Sequence, residues 1–180
     1  MSPVSERVAP EDALERVRGA VGDRATGIEL SHGHVDLTCE PARLPEIASA
    51  LRDAPDLQCC FFTFLSAVDR SEYGDDGGLE VLVHLYSPER VIHVNIHVPV
   101  EGAVPKCPSI SDVFMGALWH ERETHEMFGI DFEGHPKLVG LYLPEDFEGH
   151  PLLKSFKLPG RHVKEWPGAK DPEEAAAGGR

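Results

Sequence analysis

Two runs of alternating apolar and polar residues, LEVLVHLY (79–86) and VIHVNIHV (91–98), limit most sharply what this chain can fold into. Alternation with period two puts every second side chain on one face of a strand. The intervening Ser87-Pro88-Glu89-Arg90 is turn-like, so the pair is predicted to be an antiparallel hairpin. Setting Tyr86 opposite Val91 puts Leu79, Val81, Val83 and Leu85 on one face with Ile92, Val94, Ile96 and Val98. A slip of one residue would turn that whole apolar set to the other side, so the faces are firmly assigned. An apolar sheet face of this width has to be covered by another layer.

The cover is legible upstream. PEDALERVRGAVG (10–22) starts on Pro10, repeats apolar residues at Leu14, Val17 and Val21, and can end on Gly22. Pro41 opens a second amphipathic helix through Leu44, Ile47, Ala48 and Leu51. Between them GIELSHGHVDLTC reads as a hairpin turning at His32-Gly33, and LQCCFFTFLSAV (57–68) as a central strand. The predicted fold is therefore α/β in the α+β two-layer sense: a small mixed sheet with helices on one face.

The same hairpin register places His84 opposite His93, and Glu80 opposite His97, on the second face. Two histidines and a carboxylate are ligands that suit zinc or copper. No third strand offers an evident further ligand, so a partly solvated sheet face is the preferred reading. Cys39, Cys59, Cys60 and Cys107 have no cluster-like or finger-like spacing and read as buried, reduced thiols. With 17 Lys and Arg against 31 Asp and Glu, the chain is poorly suited to nucleic acid. No apolar run approaches the roughly 20 residues of a membrane-spanning helix. The first residues, MSPVSERVAPEDALERVR, are too charged for a signal peptide, which points to the cytoplasm. SEYGDDGG (71–78) is expected to be a flexible acidic loop, and 164–180 a flexible tail.

WHERETHEMFG (119–129) invites a zinc-protease reading. That motif needs histidines four residues apart, about 40° around a helix. His120 and His125 are five apart, which separates them by about 140°. Glu121 with His125, and Arg122 with Glu126, fall on shared faces as ordinary i,i+4 pairs. No nucleophile motif, phosphate loop or dinucleotide fingerprint accompanies them. Charges bracketed by Trp119, Met127 and Phe128 instead suit a helix at a protein interface.

Downstream, 129–161 holds five Gly and four Pro and repeats FEGHP at 132–136 and 147–151. Long helices and regular strands are disfavoured there. Twelve apolar or aromatic residues, from Ile130 to Leu158, nevertheless need a surface to lie on. An extended arm over 129–163 is predicted, ordered chiefly by docking on a partner, after a core domain over 1–128.

ERETHEMFGIDFEGHPKL followed by LPEDFEGHPLLKSF resembles the signature of the C-type subunit of NADH–quinone oxidoreductase, respiratory complex I. Glu121, Arg122, Glu123, Glu126, Met127, Phe128, Gly134, His135 and Pro136 match its first part, and Gly149, Pro151, Leu152 and Lys154 its second. FLSAVD (64–69) and the hairpin after it resemble the family's core, so the likeness spans about 40–160. The family usually carries a basic residue or proline where this chain has Val139. Its Pro-Leu-Arg-Lys-Asp is here Pro151-Leu152-Leu153-Lys154-Ser155. The resemblance implies a scaffold in the peripheral arm of an ion-translocating complex, on the cytoplasmic side of the cell membrane and touching the membrane only through the complex. Its implied partners are the quinone-pocket (D-type) and cluster-bearing (B-type) chains. It implies that flavin, iron–sulfur clusters and quinone belong to partner subunits, and that this chain has no catalytic, cofactor or metal residues. The matching residues become the expected partner interface. The equivalent subunit of a hydrogenase, ferredoxin- or deazaflavin-linked complex fits the same signature. A free-standing metal hydrolase using His120, Glu121 and His125 is the reading from another class.

Overall fold

The computed structural model describes residues 7–72, 78–102 and 104–158. Five strands form one mixed sheet: β1 (Gly27–Ser31), β2 (His34–Thr38), β3 (Phe61–Asp69), β4 (Leu79–Ser87) and β5 (Ile92–Val100), in the order β1-β2-β5-β4-β3. Every neighbouring pair is antiparallel except β2 with β5, which is parallel. The β1–β2 hairpin turns where the sequence predicts. His32 and Gly33 both take positive φ (52° and 82°), as a two-residue turn with the right twist demands.

Helices α1 (Pro10–Val21) and α2 (Leu44–Asp53) cover the apolar face. The α1 helix buries Ala13, Val17 and Val21 and stops at Gly22 (φ 58°), while Leu14 is only half-buried. The α2 helix is preceded by a single tight turn over Pro41–Arg43 and buries Leu44, Ile47, Ala48 and Leu51. Beneath them lie Val81, Val83, Leu85, Ile92, Val94, Ile96 and Val98, the face read from the hairpin.

The register of that hairpin differs from expectation. Ser87 pairs with Ile92 and Tyr86 with His93, so His84 lies opposite Asn95 and Leu82 opposite His97. The loop is Pro88-Glu89-Arg90-Val91, closed by the Val91 N–H on the Ser87 carbonyl at 2.8 Å, with Val91 at φ 57°. Both strands move by one residue, a net slip of two. Period-two alternation is blind to such a slip, and only the turn decides it.

The 57–68 segment is an edge strand, not a central one, and its pairing starts at Phe61. Its outer edge is covered by α3 (Ala117–Phe128), where His120 Nδ1 lies 3.1 Å from the Leu65 carbonyl oxygen. An unpaired strand edge is thereby partly satisfied. Three cysteines are buried as expected, but Cys60 is exposed, just ahead of β3. Burial pushes the Cys39 and Cys59 thiols up to about 12 and Cys107 higher, so these three are inert.

A second small sheet pairs β6 (Lys106–Pro108) with β7 (Asp131–Glu133) in parallel. Ile130 and Phe132 are buried, so the packed core runs on past residue 128. Most of the acidic loop, residues 73–77, and the 164–180 tail lie outside the described residues.

Candidate partner-docking site

The charged residues of α3 divide between inside and outside: Glu121 is in the core, Arg122 and Glu126 face the arm, and Glu123 is exposed. Glu121, expected at a partner surface, is fully buried. Its Oε1 accepts the Ile110 N–H at 2.8 Å and its Oε2 the Ser109 hydroxyl at 2.6 Å. Burial raises the Glu121 carboxyl above its usual range, while the bonds from Ser109 and Ile110 pull it partly back. Glu121 therefore ties the β6-to-α3 connection to the helix. Of the expected interface residues, Phe128 is also taken into the core. Glu123 is exposed and Met127 half-buried.

Arg122 and Glu126 hold the chain's own arm. Arg122 donates to the carbonyls of Val139 (2.9 Å) and Gly140 (2.7 Å), with its guanidinium 5.1 Å from the Trp119 ring centre. Glu126 accepts the N–H groups of Leu141 (3.0 Å), Tyr142 (2.8 Å) and Leu143 (2.9 Å). Three converging N–H donors make a cradle for one carboxylate. Burial alone would raise the Glu126 carboxyl; the three N–H groups and Arg122 outweigh it and hold the group below its ordinary range. Gly140 packs against this carboxylate so closely that a Cβ would lie 3.1 Å from Oε1.

The two FEGHP copies turn alike and clamp opposite ends of the helix. Gly134 and Gly149 take φ of 88° and 89°. His135 Nδ1 accepts the Lys137 N–H at 3.0 Å, so its Nε2–H donates to the Leu118 carbonyl at 3.1 Å. His150 Nδ1 lies 2.8 Å from the Glu126 carbonyl, and the Leu152 N–H meets the Met127 carbonyl at 3.1 Å. These are carbonyls that a helix leaves open at its C-terminus. Gly129 (φ 76°) closes the helix, and a Cβ there would lie 2.7 Å from the His150 ring. The Lys154 N–H reaches Asp69 Oδ2 on β3 at 2.8 Å. His120 and His125 serve different places: His120 meets Leu65 and His125 the Ile130 carbonyl, at 2.8 Å.

The described part of the arm is thus laid on its own helix. Backbone groups carry most of the anchoring, so sequence patterns could not reveal it. This also accounts for the departures from the family pattern. Val139 takes part through its carbonyl, for which side-chain identity is immaterial. Leu153 packs against the core where the pattern has Arg, and Ser155 is exposed.

The arm leaves several large apolar side chains outward, among charged ones that include Lys137, Glu145, Asp146 and Glu148. Tyr142 is 63% exposed, Leu152 53% and Leu158 81%, with Val139 and Phe147 also exposed; Trp119 on α3 is 61% exposed. Pro136, Gly134 and Lys154 are exposed too, and Pro151 is half-buried.

On the open sheet face, Glu80 accepts from Arg70 (2.8 Å) and lies 2.7 Å from His97 Nδ1, although Glu80 and His97 are diagonal rather than opposed. The Glu80 bond is the largest influence raising His97 above its ordinary value. Asn95 donates to Asp36 at 2.7 Å. These groups border a shallow depression of about 590 Å³ lined by Gly27, Glu29, Asp36, Arg70, Glu80 and His97. His84 and His93 are also diagonal neighbours, and β2 brings His34 beside them. The pairing of β2 with β5, which the sequence did not reveal, does supply a third histidine.

Fold and site together define a two-layer α/β domain with a terminal segment strapped along one helix. The family model described as "Respiratory-chain NADH dehydrogenase, 30 Kd subunit" matches residues 37–162. The C-type subunit of the NADH-quinone oxidoreductase of Herpetosiphon aurantiacus is 40% identical over 127 residues, covering 70% of this chain and 72% of its own. A trypsin-resistant fragment of Nqo5 superposes with a TM-score of 0.57 at 26% identity, over 71% of this chain and 98% of that one. A chain of the membrane-bound sulfane sulfur reductase, an archaeal respiratory membrane complex, shares the fold with a TM-score of 0.63 at 18% identity, over 76% and 77% of the two chains. The chain belongs to the family of the 30 Kd subunit of respiratory-chain NADH dehydrogenase.

Proposed function

We propose that this chain is a non-catalytic scaffold in the peripheral arm of an ion-translocating NADH–quinone oxidoreductase, seated beside the subunit that forms the quinone pocket. The observation that carries this reading is the outward exposure of Trp119 on α3 and of Val139, Tyr142, Phe147, Leu152 and Leu158 on the arm that α3 anchors. A pre-ordered segment docks without the entropy cost of ordering on contact. Large exposed aromatic and aliphatic side chains are what interface centres use. The partners are the quinone-pocket and cluster-bearing chains, which hold the redox groups; flavin, clusters and quinone are not carried here. No helix among the described residues is long and apolar enough to cross a membrane, which suits attachment through the complex. The cytoplasmic side of the cell membrane is the proposed location.

The test is purification of the tagged chain from native membranes. Flavin- and cluster-bearing subunits should accompany it, with NADH-to-quinone activity in the eluate. The isolated chain, purified without oxygen, should contain less than a tenth of an equivalent of flavin or iron. Companions that lack an NADH-binding subunit would assign the chain to a hydrogenase, ferredoxin- or deazaflavin-linked relative. A stoichiometric cluster or flavin on the isolated chain would overturn the scaffold reading.

A further inference from the structure

We propose that His34, His84 and His93 form a binding site for one borderline divalent cation of the zinc class, bridging three adjacent strands on the open face of the sheet. Each histidine comes from a different strand: β2, β4 and β5. One ligand atom from each lies within 4.8 Å of the others, and all three residues are half-buried. Imidazole nitrogens at this spacing suit zinc, copper or nickel, not magnesium or calcium.

The hydrogen bonds around His84 fix which nitrogen is free. The Thr63 hydroxyl donates its one hydrogen to the His84 carbonyl at 2.7 Å. Its oxygen also contacts His84 Nδ1, and with its hydrogen already committed it can only accept there. His84 Nδ1 therefore carries the proton, and Nε2 presents a lone pair. That lone pair accepts the His93 Nδ1–H at 3.2 Å, a proton that moves to His93 Nε2 when an ion takes its place between the two nitrogens. Metal–nitrogen bonds of 2.0–2.1 Å in a tetrahedron give an N···N edge of roughly 3.3 Å, which the spacing of this pair matches, although the two rings, stacked 27° from parallel, must turn to converge. A ligating histidine whose other nitrogen is held by a second residue is the usual arrangement at metal sites, with Thr63 in that orienting position.

His34 completes the set by a small movement. Its ring stacks on His93 with centroids 4.5 Å apart and planes 14° from parallel. Parallel rings cannot both aim in-plane lone pairs at one ion, so His34 has to swing out of the stack. It is the first residue of β2, next to the Gly33 turn. Tyr86 packs on His93 at 4.5 Å and Phe64 on His84 at 5.8 Å, holding the other two rings. The nearby carboxylates are engaged elsewhere: Asp36 with Asn95, and Glu80 with Arg70 and His97.

The experiment titrates Zn²⁺ into the metal-free full chain against a chelating dye, with long-range ¹H–¹⁵N imidazole spectra recorded alongside. One zinc should bind per chain with submicromolar Kd, and the ring signals of His34, His84 and His93 should shift together. The His34→Gln/His93→Gln double variant should bind at least 100-fold more weakly. Thr63→Val should lose about 10–100-fold, the range seen when the residue behind a ligand is removed. The amide spectrum reports whether each variant is folded; should the double variant unfold, the wild-type ring signals decide alone. Undiminished affinity in a folded double variant, or zinc-induced shifts confined to Cys60 and the other histidines, would overturn the site.

Discussion

Glu121 shows how far a residue's type can mislead about its place. In the sequence it stands in a run of charges and looks like its neighbours Arg122 and Glu123. In the fold it is the one carboxylate of that run inside the core, satisfied by Ile110 and Ser109. Helical spacing gave the right face relationships, but nothing local said which face turned inward. Glu121→Ala strands two donors, each costing about 1–3 kcal/mol, so thermal denaturation should show a loss of about 3 kcal/mol. Glu121→Gln keeps an acceptor for Ile110 and should cost less than about 1 kcal/mol at pH 7. The sign of the pH effect follows from the raised carboxyl. Its contribution is fully present below the unfolded value, about 4.3, and declines as pH rises through the folded one. That decline should be absent from the Gln variant in denaturation curves between pH 4 and 7.

The elements divide into those that periodicity reveals and those that backbone contacts create. Both covering helices, the His32-Gly33 hairpin and the apolar face of the β4–β5 hairpin were legible, because burial imposes a period on side chains. The edge position of β3 was not, since Phe61 and Phe64 make an exposed edge look as apolar as a centre. The arm was legible as a hydrophobic Gly/Pro segment with a repeat, but its anchoring on α3 was not. The groups that hold it are main-chain N–H and carbonyl groups, which every sequence has. Two carboxylates, Glu126 and Asp69, receive those N–H groups. At Asp69, as at Glu126, burial opposes the charge, and bonds from Ser71 and Lys154 more than offset it. Both carboxyls are therefore depressed on folding. Their contribution is present above the unfolded values near 4 and is lost as pH falls through the folded ones. Amide spectra should show Leu141, Tyr142, Leu143 and Lys154 leaving their folded positions as pH drops below about 4, with the sheet amides moving later. Arg122→Ala together with Glu126→Gln should bring the same release at pH 7. Unchanged amides of 139–143 in that variant would show that apolar contact alone holds the arm.

Among the described residues, core, small sheet, α3 and arm pack as one unit. Core, small sheet, helix and arm are joined by α3, whose two ends are clamped by the two FEGHP turns. In hydrogen exchange the free chain should already protect the amides of Leu141, Tyr142, Leu143, Leu152 and Lys154, and docking should add protection by covering the exposed side chains of the arm. Family membership was carried by the residues of 121–154. Their chemistry is explained largely by intramolecular anchoring, a role that the signature alone did not distinguish from contact with a partner.

The most direct measurement of the central claim is the Tyr142→Asp/Leu152→Asp variant, carried in place of the natural chain and analysed in purified membranes. Both side chains are exposed, so the free variant should fold with a native amide spectrum. Charge at the centre of an apolar interface is costly to bury, so the amount of assembled complex should fall at least tenfold. The few complexes that do assemble should turn over at the natural rate per complex. Full assembly at natural levels would contradict the docking surface, and full assembly with turnover abolished would place this chain in the chemistry itself.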